Sequence, residues 1–183
     1  KYLSNFFCGA AKSWLTEALA HSKEWAGIIF AQGCNNTNRH YDIWKVHVET
    51  PFLHWFGAPL LDNAAAKKYY RVELQRLISH LENHFGIKMT PEKIKEAIGQ
   101  SNEIKKKLQR LSALRVQKDI PNRDYLAAVI KCLTNPIDEV SAWLDSEITA
   151  WNAKPAFPSD KKRFLLTGSD ITYVEWMDTL EDC

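Results

Sequence analysis

Two cysteines carry the residue chemistry that stands out in this chain, Cys8 and Cys34. Cys34 follows the apolar run Ile28-Ile29-Phe30, which suits a buried strand, and Gly33 breaks that run. Asn35, Asn36 or Thr37 can then cap a helix carrying Tyr41, Ile43 and Trp44. Cys8 has the same placement. It follows Tyr2-Leu-Ser-Asn-Phe-Phe7, which reads as a strand, and precedes a helical pattern over 10–22 with Trp14, Leu15, Ala18 and Leu19 on its apolar face. A thiolate between a strand end and a helix start meets the free N–H groups and positive dipole end of the helix. That setting lowers a cysteine pKa and favours a metal–sulfur bond. The other reading of each cysteine is a small buried hydrophobe. His47 and His54 offer ligand or acid/base groups, or else packed imidazoles.

The positioning elements follow from the pattern. If the strands at 2–7 and 25–30 are parallel neighbours joined by the helix between them, they form a right-handed βαβ unit. Cys8 and Cys34, about one βα repeat apart, then lie on one sheet edge, the edge where open α/β sheets bind ligands. Residues 51–56 give a third short strand or extended segment. Asp62 or Asn63 can cap a helix with Tyr70, Leu74, Leu77, Ile78, Leu81 and Phe85 along one stripe, and Gly86 stops it. Thr90-Pro91-Glu92 starts a second long helix reaching about residue 117, and the short link predicts an antiparallel hairpin. Pro121 and Pro136 each open a further helix, and Cys132 within the first of them reads as core. Residues 153–161 form a Pro-containing linker. Residues 162–168 then read as a buried strand, Ser169-Asp170 as a helix cap and 173–182 as a helix. The organisation expected is therefore α/β over 1–60, a helical segment with a long antiparallel hairpin over 61–152, and a linker with the first βα unit of a second α/β domain over 153–183. The chain reads as a fragment of a longer one, since Lys1 opens on a strand in progress and Cys183 closes inside a helical pattern.

Composition bounds the function classes. The chain has 183 residues, 45% hydrophobic and 25% charged, as in an ordinary globular protein. A net charge of +2 points to neither a nucleic-acid nor a membrane partner, and the Lys105-Lys106-Lys107 run reads as a solvated face. Four cysteines without a Cys-x-x-Cys pair fit a reducing compartment, hence a cytoplasmic location, rather than a disulfide framework. Most of the seven tryptophans are expected in cores. A Gly-rich phosphate loop and a Ser/His/Asp motif are absent from the sequence.

The residues also occur in a familiar order. Cys8 precedes its helix; then come Cys34-Asn-Asn with Tyr41-Asp-Ile-Trp-Lys45, and Pro51-Phe with Ala58-Pro59. Glu73-Leu, Leu81-Glu and Phe85-Gly86 follow, then Thr90-Pro-Glu with Ser101-Asn102, and Arg163-Phe-Leu-Leu-Thr-Gly-Ser169. Over nearly its whole length the chain resembles the D-component subunits of the 2-hydroxyacyl-CoA dehydratase and benzoyl-CoA reductase family. The resemblance implies two Rossmann-like α/β domains around a helical segment. It also implies a [4Fe–4S] or larger iron–sulfur cluster held by cysteines, to which Cys8 and Cys34 correspond as the first two ligands. The third ligand of the family lies beyond this chain, and neither Cys132 nor Cys183 matches it. Asn35-Asn36 stands where the family often has Asp. The implied partners are a homologous second subunit and an ATP-hydrolysing iron–sulfur activator that delivers a low-potential electron. The implied reaction is radical dehydration of a 2-hydroxyacyl-CoA to an enoyl-CoA through a ketyl radical. Ring reduction of an aryl-CoA is the alternative, and a non-catalytic partner that carries a cluster is a further one. Arg39, His40 and Trp44 either contact the cluster or CoA in such a protein or serve the packing.

Overall fold

The computed structural model describes residues 2–158, 162, 164–167 and 173–182. The chain is mostly helical, with one two-stranded parallel sheet, and it divides into two compact units, Lys1–Met89 and Thr90–Cys183. The boundary falls in the link between the two long helices, where the sequence predicts a hairpin turn.

The first unit is built on strands β1 (Ile28–Ala31) and β2 (Leu53–Phe56), paired in parallel with Phe30 opposite Trp55. Parallel strands need a crossover, and α2 (Asn35–His47) supplies it. Side chains alternate across the sheet. Phe30 and Trp55 face α2, where they meet Tyr41 and Trp44. Phe52, His54 and Phe56 face α3 (Ala64–Phe85), where they meet His80, His84, Phe85 and Tyr70. Helix α1 (Gly9–His21) packs beside α2, and its Leu15 and Ala18 join Phe30, Trp44 and Val48 in the core. The unit is thus a three-layer α/β sandwich.

The expected strand at 2–7 is a turn, with Phe7 N–H bonded to Ser4 C=O at 3.2 Å and Phe6 exposed. Ser4 and Asn5 favour turns. The βαβ unit of the structure is therefore β1–α2–β2, one step later in the chain than expected. Helix α3 begins at Asn63, whose side chain accepts from Ala66 N–H at 2.9 Å, and ends at Gly86 with φ 64°, a conformation that favours glycine.

The second unit is helical. Its members are α4 (Pro91–Gln117), α5 (Asn122–Thr134), α6 (Ile137–Asn152) and α7 (Glu175–Glu181). Thr90 caps α4 and Pro91 takes its first turn, in agreement with the sequence pattern. The core joins Ile104 and Leu111 of α4, Ala128 of α5, and Val140, Leu144 and Trp151 of α6, with Cys132 packed against it. The lysine run is not wholly solvated. Lys107 turns inward, where its Nζ donates to Ser141 C=O, Ser141 Oγ and the Asp145 carboxylate at 2.7–3.0 Å, fastening α4 to α6. The buried strand expected over 162–168 does not form among the described residues. Phe164 and Leu165 are 90% and 91% exposed, and an isolated apolar run has no neighbour to complete a ladder. The cap expected at Ser169-Asp170 lies outside the described residues. No helix among the described residues is long and apolar enough to cross a membrane.

Leu144 is fully buried where α6 meets α4. Leu144→Ala should lower the unfolding free energy by about 2–5 kcal/mol, read by urea titration of helical circular dichroism.

Candidate thiolate site

Contacts between α1 and α2 decide where the two cysteines fall. The helix ends are tied by Ser22 Oγ, which donates to Glu49 C=O at 2.7 Å just past the end of α2. The helix middles are tied by Trp14 and His40, whose rings stack 6.1 Å apart with planes 6° from parallel. Trp14 follows Cys8 by the same number of residues as His40 follows Cys34. The two helices therefore run parallel, and their N-termini, Cys8 and Cys34, point to one end. That end is the carboxyl edge of the sheet, because Gln32-Gly33-Cys34 leads directly from β1 into α2. The expected shared edge thus arises from helix pairing, with no strand before Cys8.

Each cysteine is the N-cap of its helix, and each is exposed. Neither side chain caps a backbone N–H, although the cap carbonyls accept the first helical bonds from Lys12 and Asn38. Ser, Thr, Asp or Asn at such a position would turn its oxygen inward to the helix. At Cys34 the Thr37 hydroxyl lies 3.3 Å from Sγ. The Thr37 hydroxyl bond, together with the N–H groups of Thr37 and Asn36, holds the Cys34 thiol below its ordinary range. Cys132 is the contrast. Burial pushes its thiol up, as the core reading expects.

Two thiols do not make a full ligand set. Among the described residues, no group of three or more His, Cys, Asp or Glu side chains converges as a metal site. The donors would suit part of an iron–sulfur ligand set, being exposed thiols at helix starts of which Cys34 is acidified; the other ligands of such a set would come from outside the described residues.

The other candidates are placed away from this edge. His47 lies at the C-terminal end of α2 and packs on Tyr2 at 4.4 Å. His54 lies within β2, facing α3, with its Nδ1 2.9 Å from His80 Nδ1. Arg39 is exposed and pairs with Asp42 at 3.6 Å. Trp44 is core, its indole N–H donating to Thr50 Oγ1 at 3.1 Å. His40 is 0% exposed, caged by Trp14, Phe30 and Trp44, with both ring nitrogens lacking a hydrogen-bond partner. Burial lowers its pKa, as it does for His54.

Sequence reasoning missed two contributors. Thr37 reads as a possible cap and is instead the partner of Cys34; its position three residues on is the signal. Glu73 reads as a polar position on α3. In the structure it is buried, bonding Gly57 N–H at 3.1 Å and Arg76 at 2.7 Å, and the i, i+3 pairing with Arg76 hints at it.

The first unit is thus an α/β unit with two exposed cysteines at helix starts toward its carboxyl edge. A profile of the family "2-hydroxyglutaryl-CoA dehydratase, D-component" matches residues 1–183, and the chain belongs to that family. It is also similar to one of the subunits of benzoyl-CoA reductase from Thauera aromatica, at 23% identity over 172 residues. That match covers 92% of this chain and 45% of the relative, so the chain spans less than half the length of that protein.

Two expectations follow. In cluster-free protein, Cys34 should alkylate faster than Cys132 at neutral pH, and Thr37→Val should slow Cys34 by moving its rate–pH profile to higher pH; peptide-resolved iodoacetamide kinetics read both. For His40, the folded state holds the neutral form and the unfolded chain protonates near 6.5, so the unfolded state binds more protons below that value. Stability should be full above pH 6.5 and fall as the pH drops. His40→Phe should raise stability at pH 7 by about 1–3 kcal/mol and flatten the acid limb of thermal unfolding.

Proposed function

We propose that the chain is part of a subunit of an iron–sulfur enzyme acting on acyl-CoA thioesters. The reaction is radical dehydration of a 2-hydroxyacyl-CoA to an enoyl-CoA after ATP-driven one-electron activation. The observation that carries this reading is the pair of outward N-cap thiols, Cys8 and Cys34, at one sheet edge in a chain of this family. Cys8 and Cys34 would hold a [4Fe–4S] or larger cluster, with a third ligand from beyond this chain. The cluster supplies one-electron transfer at low potential.

This chain's own residues hold and tune that group. The N-terminal N–H groups of α2 favour negative charge on the Cys34 sulfur. The Thr37 hydroxyl beside Cys34 favours the thiolate form that ligation requires. Buried His40, Phe30 and Trp44, with the half-exposed Trp14 stacked on His40, keep α1 and α2 in register. A homologous second subunit and an ATP-hydrolysing iron–sulfur activator complete the system, in a cytoplasmic setting.

A second reading is favoured by the likeness to the Thauera aromatica benzoyl-CoA reductase protein: part of an ATP-dependent aryl-CoA ring reductase. The two readings share the cluster and differ in the acyl group. Anaerobic iron and acid-labile sulfide analysis of the full-length protein should give about four irons per subunit, and Cys34→Ser should lose them while keeping its circular dichroism. Unchanged iron in Cys34→Ser would remove Cys34 from the ligand set. Iron-free wild-type protein, handled without oxygen, would remove the proposal altogether. Turnover of 2-hydroxyacyl-CoA against aryl-CoA, with activator and ATP present, separates the two reactions.

A further inference from the structure

The segment carrying Cys34 has a neighbour along the carboxyl edge. The last rung of the sheet runs from Gln32 N–H to Phe56 C=O at 3.0 Å, and the segments 33–34 and 57–58 both leave the sheet at its carboxyl edge. The second of these segments is not held by its own turn. It is held by α3. Glu73, 4% exposed, places Oε2 against Gly57 N–H at 3.1 Å, and the same oxygen accepts from Arg76 at 2.7 Å. Arg76 also donates to Trp55 C=O at 2.8 Å, so one ion pair grips the backbone on both sides of the end of β2. A Cβ at Gly57 would lie 2.4 Å from Tyr69 Oη and 3.3 Å from Glu73 Oε2, so any larger residue there would displace the ends of both side chains.

A buried carboxylate is a costly way to fasten a helix to a sheet, since an apolar side chain in the same stripe would do so without desolvating a charge. What the charge adds is direction: it fixes one backbone N–H, and with it the course of Gly57-Ala58-Pro59 at the same edge as Cys34. From these contacts we infer that Glu73 is a positioning residue of the thiolate edge, acting through Gly57 to hold this segment as a wall next to the cluster. The inference rests on the reading of Cys34 as a cluster ligand. Glu73 is no ligand itself, because its oxygen is engaged with Gly57 and Arg76. Its removal loosens the wall and admits solvent and oxygen to the cluster while leaving the thiols in place. Leu60 and Leu61, exposed just beyond Pro59, make the released segment apolar.

The test uses the full-length protein, loaded anaerobically, with Glu73→Gln and Glu73→Ala. Gln retains an acceptor for Gly57 N–H and loses the charge pair; Ala loses both. Expected are unchanged iron content in both variants and a Gly57 peptide that exchanges amide hydrogen about tenfold faster in Glu73→Ala. The cluster EPR signal should broaden, and the cluster should bleach several-fold faster in air, in the order Ala, Gln, wild type. Should Glu73→Ala fail to fold, Glu73→Gln against wild type carries the same comparison. Faster Gly57 exchange with an unmoved EPR signal and bleaching rate would make the clamp purely structural and overturn this inference alone. Iron-free wild-type protein would overturn the cluster reading and this inference with it.

Discussion

The stacking of Trp14 on His40 in the aromatic layer between α1, α2 and β1 is the contact on which the candidate site depends. No hydrogen bond fastens the middle of α1 to α2 through His40; its two ring nitrogens are both without partners. Alignment there comes from ring packing, with Phe30 and Trp44 set edge-on to the imidazole. The Ser22–Glu49 bond then fixes the far ends. Given those two ties, equal spacing along each helix brings Cys8 and Cys34 to one edge with no direct contact needed between them. The cost of burying an unpaired imidazole is accepted in the core, away from the thiols. It makes the alignment sensitive to acid, because a protonated His40 has no acceptor in its cage.

The rest of the first unit extends the same logic to the other face of the sheet. α3 holds the end of β2 with the Glu73–Arg76 pair, while the His54–His80 contact and the Phe52 cluster hold its start. The carboxyl edge is thus built from two loops, each governed by a different layer. The loop ending in Cys34 is governed by α2, and the loop beginning at Gly57 by α3. The second unit is held by apolar packing of α4 against α6 and α5 and by Lys107, with Cys132 withdrawn into that core.

The helices were legible because their signals are local. Asn63, Gly86, Thr90 and Pro91 act within a turn of themselves and mark boundaries that the structure keeps. The placement of Cys34 after a strand and before a helix was legible for the same reason. The strand expected at 2–7 and, among the described residues, the one expected over 162–168 did not form, since an apolar run becomes a strand only beside a partner that no local pattern reveals. Cys8 kept its place at a helix start although the strand before it did not form. The burial of His40 and Glu73 was hidden because both are polar residues on helix faces, where pattern alone assigns solvent. Only the packing of Trp14 and the course of Gly57 show otherwise. Family membership rests on order and spacing across the whole chain, which survive the misplaced strands.

The central claim is that α1 and α2 run parallel in register, so that Cys8 and Cys34 share an edge. The most direct measurement places nitroxide labels on these two cysteines in cluster-free protein, with every other cysteine changed to serine, and records the continuous-wave EPR spectrum. Packed helices lie about 8–10 Å apart, so labels at neighbouring N-termini should show strong dipolar broadening that disappears in each singly labelled variant. A doubly labelled spectrum equal to the sum of the two single ones, in protein with native circular dichroism, would contradict the claim and with it the shared thiolate site.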